Sequence, residues 1–174
     1  ILVCLVGSEM CIRDRNQSRD FTEEEWETIK DLWIKLHVKL PELIRMSFAA
    51  KVEECELPDD DDFILENING DECKFAEDYI GDGYIAFKTP NDRVELFALS
   101  KEPETGPIDY DQDPKGRHIT LKVRYCFYYE VIMVLFTLIE AKIPGVLYSW
   151  DDDMDSMYPE VYNWMCQFAE EVKE

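Results

Sequence analysis

The pattern of apolar positions is clearest near the start of the chain, where it predicts a helix. Thr22 and Glu25 have the spacing of a capping box, which marks a helix N-terminus. Phe21 and Trp26 occupy the two positions of a hydrophobic staple around that cap. Apolar residues then recur at helical spacing and form a single stripe, made of Trp26, Ile29, Trp33, Leu36 and Leu40. We therefore expect a helix from Thr22 that packs this stripe into a core.

A second helix is predicted directly after the first. Pro41 interrupts the first stripe, and proline suits the first turn of a new helix because its missing N–H is not needed there. The pattern continues to about Glu54, and its apolar positions are Leu43, Ile44, Phe48 and Val52.

The middle of the chain changes to short runs that are typical of strands. Four of them are predicted: Phe63–Leu65, Phe75–Ile80, Tyr84–Lys88 and Arg93–Leu99. Turn residues at 81–83 and 90–92 separate the last three, which indicates a meander of hairpins. Residues 81–86 also match a G-x-G-x-x-A dinucleotide pattern, but a strand follows them where a phosphate loop needs a helix. After the loop-like residues 100–116, residues 118–124 alternate apolar and polar side chains and predict another strand.

The C-terminal part of the chain predicts two more helices. Residues 125–142 are apolar nearly all round and predict a central buried helix, although their β-branched residues leave a strand open. A short strand is expected at 146–150 after the Pro144–Gly145 break. Asp155 or Ser156 then caps a last helix. Its inward positions are Val161, Trp164, Met165 and Phe168.

This order of elements predicts an α+β fold. We expect one antiparallel sheet of four to six strands, two N-terminal helices, one central buried helix and a C-terminal helix. Residues 16–174 are long enough for a single domain with a sizeable core. No apolar run approaches the length of a membrane-spanning helix, so we expect a cytoplasmic protein without a membrane partner.

Residues 1–15 are expected to lie outside this domain. The run from Leu5 to Arg15, LVGSEMCIRDR, resembles one translated frame of a common transposon sequencing adapter at every position. Segments of this kind are excluded from fold reasoning. We therefore predict that residues 1–15 are an unstructured artefact.

The charge of the chain is strongly negative and restricts the class of partner. The chain has 39 Asp and Glu against 18 Lys and Arg, a formal net charge of −21, and removing residues 1–15 leaves this value unchanged. Direct nucleic-acid binding needs clustered basic residues, which argues against it here. A basic protein partner fits the charge better, although an acidic structural domain from an organism of a saline habitat would carry the same charge.

The cysteines outside residues 1–15 form no C-x-x-C pair, so we expect reduced, mostly buried thiols and no zinc site. They are Cys55, Cys73, Cys126 and Cys166.

An acidic run between the last predicted strand and helix is the best candidate site. For partner binding its residues are Trp150, Asp151, Asp152, Asp153, Asp155 and Tyr158, because an aromatic side chain beside carboxylates suits a basic partner. The alternative is a Mg²⁺ or Ca²⁺ site on Asp151, Asp153, Asp155 and Glu160, serving a metal-dependent hydrolase or phosphotransferase. The spacing imitates the start of an EF-hand loop, but Ser156 replaces its glycine and Tyr162 its last glutamate. A solvated loop that complements the helix dipole also fits.

Two segments resemble the SUKH superfamily of immunity proteins. Residues 35–42, KLHVKLPE, are similar to that family's L-G-V-x-L-P-E-D segment, with His37 in place of glycine. Residues 80–87 and 93–97 are similar to its G-D-G turn and following strand pair, so the resemblance spans about residues 22–99. It implies a non-enzymatic α+β domain that binds and neutralises a toxin, often a basic nuclease.

Because neither His37 nor His118 lies in a nucleophile motif, the sequence also favours a non-enzymatic protein, with no cofactor and no catalytic residue.

Overall fold

Four helices and two small antiparallel sheets make up the described part of the fold. The computed structural model describes residues 12–51, 65–67, 69, 73–87, 97–102, 117–122, 129–149 and 159–172. In these ranges the elements follow the order β1 (Ile12–Gln17), α1 (Glu23–Val38), α2 (Leu40–Lys51), a 3₁₀ helix (Ala76–Tyr79), β2 (Ile80–Gly81), β3 (Tyr84–Phe87), β4 (Phe97–Ser100), β5 (Arg117–Lys122), α3 (Tyr129–Lys142), β6 (Leu147–Ser149) and α4 (Pro159–Glu171). The α+β composition predicted from the sequence is confirmed.

Helix α1 begins at the predicted cap. The Thr22 hydroxyl accepts a hydrogen bond from the Glu25 N–H at 3.2 Å, and the Glu25 carboxylate accepts one from the Thr22 N–H at 2.9 Å. The rings of Phe21 and Trp26 lie 6.1 Å apart, which forms the predicted staple. Every residue of the predicted stripe is buried, and Leu32 joins it. The local signals of this segment therefore specify both the start of the helix and its inward face.

Glu25 should make the protein lose stability in acid. The Arg19 guanidinium hydrogen-bonds the Glu25 carboxylate at 2.7 Å, and together with the Thr22 N–H it lowers the pKa of Glu25 from 4.5 to about 2. A pKa depressed by folding contributes stability above the unfolded value, and this contribution disappears as the pH falls toward the folded value. Glu25→Gln should therefore reduce the loss of stability between pH 4.5 and pH 2, measured by urea unfolding. Glu24→Gln, at an exposed neighbouring position, should keep the wild-type slope, and an unchanged slope in Glu25→Gln would contradict the assignment.

Helix α2 follows α1 after a single intervening residue. Pro41 lies in its first turn, as predicted, and Leu43 and Ile44 are buried. The side chains of Phe48 and Val52 lie outside the described residues, as does the predicted end of the helix near Glu54.

Helix α3 lies at the centre of the core. Its β-branched residues left a strand possible in the sequence analysis, and the structure has a helix there. Nearly all side chains from Glu130 to Ile139 are buried, and the helix contacts α1, α2, α4 and β6. The helix ends just before the predicted break at Pro144–Gly145. Gly145 has a φ of 79°, a backbone conformation that glycine adopts readily. Helix α4 packs against α2 and α3 through the predicted residues, which are Val161, Trp164, Met165 and Phe168.

The prediction of one sheet with four to six strands is wrong. The described strands form two separate three-stranded antiparallel sheets, with the orders β5-β1-β6 and β2-β3-β4. The predicted hairpin is present, since Ile80 pairs with Ile85 and Gly81 with Tyr84, and Gly83 has a φ of 76° in the turn. In the first of these sheets β1 lies between β5 and β6 and pairs with both, although most of its residues were expected to be unstructured.

The predicted strand over residues 75–80 is largely a 3₁₀ helix. Its aromatic and apolar residues favour a strand, but the Asp78 carboxylate accepts a hydrogen bond from the Phe75 N–H at 3.2 Å. The Phe75 carbonyl in turn accepts one from the Asp78 N–H at 3.1 Å. This local capping competes with a strand ladder and holds the tight turn, so only Ile80 and Gly81 pair as a strand.

The expectation that residues 1–15 are unstructured does not hold for residues 12–15. These four residues belong to β1, where Ile12 pairs with Lys122 and Arg15 with both Ile119 and Ser149. Strand pairing uses main-chain N–H and C=O groups, so a segment enters a sheet without an apolar pattern of its own. Residues 1–11 lie outside the described part, and the adapter origin of the segment stays a prediction.

The residues after β1 connect the two sheets. The Ser18 N–H donates to the Val146 carbonyl at 2.8 Å beside β6, and the Phe21 N–H donates to the Lys101 carbonyl at 3.1 Å beside β4. Gln17 is fully buried, and its amide nitrogen lies 3.3 Å from the same Lys101 carbonyl. The start of α1 is therefore held by hydrogen bonds to the ends of both sheets.

Candidate functional site

The predicted acidic site lies between β6 and α4. Its residues Trp150, Asp151–Asp153, Asp155 and Tyr158 are outside the described residues, so their proposed roles stay predictions. Glu160 is described, and its side chain is exposed in the first turn of α4, where a carboxylate complements the helix dipole. Within the described ranges no three His, Cys, Asp or Glu side chains are grouped so that they could hold a metal ion.

Several basic side chains of the described surface are engaged by carboxylates of the same chain. Arg19 pairs with Glu25 at 2.7 Å, and Lys101 is hydrogen-bonded to Glu23. Further pairs lie on or beside α1: Lys30–Glu27 at 2.6 Å, Lys35–Asp31 at 2.9 Å and Lys39–Glu171 at 3.7 Å. Such surface pairs contribute little to stability, and because each one cancels a cation and a carboxylate together, they leave the net charge of the chain unchanged.

An open groove of about 420 Å³ lies between the start of α1 and the end of α3. Three of its lining side chains, those of Thr28, Lys142 and Glu25, form hydrogen bonds within the fold. The Thr28 hydroxyl donates to the Glu24 carbonyl at 2.9 Å, and the Lys142 ammonium donates to the Val172 carbonyl at 2.9 Å. The Glu25 carboxylate is held by the cap of α1.

A cluster of aromatic side chains joins α1 to the 3₁₀ helix. The Trp33 indole N–H donates to the Ala76 carbonyl at 3.0 Å, and the ring of Tyr79 lies edge-on to Trp33 at 5.7 Å. His37, one turn further along α1, lies 5.4 Å from Tyr79. The Tyr79 hydroxyl lies 2.8 Å from the Leu65 carbonyl and is buried. The cluster therefore fixes the 3₁₀ helix against the last turn of α1.

Burial changes the pKa of both titratable side chains of this cluster. Burial lowers the pKa of His37, while Glu77 and Asp78 act in the opposite direction. Burial raises the pKa of Tyr79, whose hydroxyl already has two carbonyl neighbours, those of Leu65 and Cys73. His37 is thus a partly buried histidine that packs on the rings of Trp33 and Tyr79. The side chain of His118 in β5 lies outside the described side chains.

The thiols and apolar side chains at the surface differ in part from expectation. Cys73 is half-buried and Cys166 is exposed, so the prediction of mostly buried thiols is wrong for Cys166; Cys55 and Cys126 lie outside the described residues. Three large apolar side chains of the described surface are exposed: Val38 by 74%, Phe75 by 69% and Tyr162 by 40%. The exposure of Val38 and Phe75 is not predicted by the sequence, because Val38 lies beside the inward stripe of α1 and Phe75 falls in a predicted strand.

Comparisons with known proteins identify no relative of this chain. No protein-family model matches it, and no curated protein and no solved structure gives a significant match. The resemblance to SUKH immunity proteins over residues 22–99 therefore stays a prediction. A search of the described residues for a helix long and apolar enough to cross a membrane finds none.

Proposed function

We propose that this protein is a non-enzymatic binding protein whose acidic surface engages a basic protein partner. The observation that carries the proposal is the net charge of −21, combined with the pairing of surface lysines and arginines to carboxylates of the same chain. Each such pair cancels one carboxylate as well as one cation, so the negative field that a partner meets comes from the excess of Asp and Glu over Lys and Arg. Neutralisation of a basic toxin, as in immunity proteins, is the most specific form of this proposal.

A negative field acts mainly on the rate of association. Complementary charges steer two proteins toward a productive encounter before their surfaces touch, and like-charged competitors are repelled. Aromatic side chains at the centre of an interface then supply most of the binding energy. The segment from Trp150 to Tyr158 combines both features, since it carries Asp151–Asp153 and Asp155 between its two aromatic residues.

Binding of the basic partner should depend steeply on salt. Salt screens exposed charges over a Debye length of about 8 Å at physiological ionic strength. The partner, captured from an extract of the source cell and identified by mass spectrometry, should associate about tenfold more slowly at high salt, with a smaller change in dissociation. The combined substitutions Asp151→Asn, Asp152→Asn and Asp153→Asn should reproduce part of this slowing at low salt. Kinetics on an immobilised protein measure both rates.

The control keeps the charge and changes the side chain. Asp151→Glu, Asp152→Glu and Asp153→Glu together should associate at the wild-type rate, and neutralising the run at residues 59–62 serves as a comparison at a second acidic segment. Capture of only acidic or neutral proteins, bound equally at low and high salt, would contradict the proposal. The charge would then be a solubility trait, as in the saline-habitat hypothesis.

A further inference from the structure

His37 lies at the outer edge of the junction between α1 and the 3₁₀ helix. Its imidazole is 5.8 Å from the Trp33 ring on its own helix and 5.4 Å from the Tyr79 ring on the 3₁₀ helix, measured between ring centroids. The side chain is partly buried. Water therefore reaches the imidazole, while the two aromatic rings replace part of its hydration.

Tyr79 connects this contact to the chain around the 3₁₀ helix. Its hydroxyl has one proton to donate and lies 2.8 Å from the Leu65 carbonyl and 2.9 Å from the Cys73 carbonyl. Its ring stands edge-on to Trp33 at 5.7 Å. The 3₁₀ helix contacts β2 and β3 as well as α1. A change at His37 therefore acts on the position of Tyr79 and, through it, on the start of the β2-β3-β4 sheet.

The charges that act on His37 come from the 3₁₀ helix. The carboxylates of Glu77 and Asp78 favour the protonated imidazole, but burial among the rings has the larger effect, so the pKa of His37 is lowered. The remaining described charged side chains of α1, α2, α3 and the residues before the 3₁₀ helix exert no comparable effect, among them Lys35, Lys39, Glu42, Arg45, Lys74 and Glu130.

We propose that His37 is a pH-sensitive contact, in which proton uptake by the imidazole loosens the 3₁₀ helix and the adjoining β2-β3-β4 sheet from α1. The neutral ring packs on its two aromatic neighbours, whereas the charged ring regains its full hydration only where the junction opens. The contribution of this contact to stability is therefore present above the ordinary histidine pKa of 6.5 and decreases as the pH falls below it. This range is distinct from that of Glu25, which lies between pH 4.5 and pH 2. The contact operates in the chain itself, without a partner.

Proton NMR of the full chain measures the pKa of His37 directly, because the chain has two histidines and His118→Gln removes the second resonance. We expect a pKa below 6.5 in the wild type. Glu77→Gln should lower it further, since it removes one of the two carboxylates that favour the charged form. A pKa at or above 6.5 would show that the carboxylates and the aromatic faces stabilise the imidazolium, and would overturn the proposal.

Amide hydrogen exchange tests whether protonation opens the junction. The Asp78 N–H donates to the Phe75 carbonyl and the Ile80 N–H to the Glu77 carbonyl. One pH unit below 6.5, exchange of these two amides, corrected for the intrinsic rate, should rise several-fold relative to the amides of α4. The upper limit is about tenfold, because a released imidazole is then about nine-tenths protonated.

Matched variants separate the imidazole from the general change in charge. His37→Phe keeps a ring in the contact but does not titrate, so it should lose the rise in exchange, whereas His118→Gln should retain it. His37→Gln, a smaller side chain that also does not titrate, should lose the rise as well and serves where the larger ring disturbs folding. A rise that persists in both His37 variants, or that is equal in α4, would overturn the proposal.

Discussion

Replacing Trp33 by alanine should lower the free energy of unfolding by roughly 3–5 kcal/mol, the range for large-to-small changes at buried aromatic residues. Trp33 has no solvent exposure and stacks on Phe87, with ring centroids 5.0 Å apart. Phe87 in turn lies 4.6 Å from Phe97 in the neighbouring strand. The substitution therefore leaves a cavity between α1 and the β2-β3-β4 sheet. Urea unfolding followed by circular dichroism measures the loss.

A second substitution at the same position separates packing from hydrogen bonding. Trp33→Phe keeps a ring in the core but removes the indole donor to the Ala76 carbonyl, which should cost about 1–3 kcal/mol for an unpaired buried acceptor. Tyr162→Ala on the exposed face of α4 is the control and should change stability by no more than about 0.5 kcal/mol. A cost of less than about 1 kcal/mol for Trp33→Ala would show that the position is not part of the core.

The helices could be predicted because their signals are local. The capping box of Thr22 and Glu25 and the stripe of α1 lie within a few turns of each other, and both are present in the structure. The same holds for α4, whose inward residues repeat every three or four positions and are all buried. Such patterns predict where a helix begins, which of its faces points inward and which residues are buried, without knowledge of the rest of the fold.

The sheets could be predicted only in part, because strand pairing depends on distant residues. The hairpin around Gly83 was predictable, since both of its strands and its turn are adjacent in sequence. The pairing of β1 with β5 joins residues that are 100 to 110 positions apart, from Gln17↔Arg117 to Ile12↔Lys122, and nothing in the residues of β1 indicates it. Because the sequence does not predict β1, we expected β5 and β6 to lie in the same sheet as the hairpin.

Surface features also differ in whether they can be predicted from residues that are neighbours in the sequence. The acidic run from Asp151 to Asp155 is visible in the sequence because its residues are neighbours. The exposure of Phe75 is not, because it follows from the 3₁₀ helix that replaces the predicted strand. The one local signal of that helix was Asp78, three residues after Phe75, where a carboxylate can cap a turn.

Removing residues 1–15 should destabilise the protein, whereas removing residues 1–11 should not. The longer deletion takes Ile12–Arg15 out of the centre of the β5-β1-β6 sheet and breaks their pairing with Ile119–Lys122. At about 1 kcal/mol for each ladder hydrogen bond, the loss should be about 2–4 kcal/mol. For a domain of this size, that corresponds to a decrease in Tm of about 5–15 °C. Thermal unfolding of the two deletions beside the full chain measures the difference.

Two further variants decide whether the backbone or the side chains of this segment carry the effect. Ile12→Val, Arg13→Thr, Asp14→Val and Arg15→Thr together change every side chain but keep the ladder, so they should retain the Tm of the full chain. Asp14→Pro removes a main-chain donor from a central strand and should resemble the longer deletion. This pattern would mean that the site between β5 and β6 accepts a strand of unrelated sequence, which is compatible with an adapter origin of these residues. Equal Tm values for the full chain, both deletions and Asp14→Pro would instead show that β1 contributes nothing before Asn16, as the sequence analysis expected.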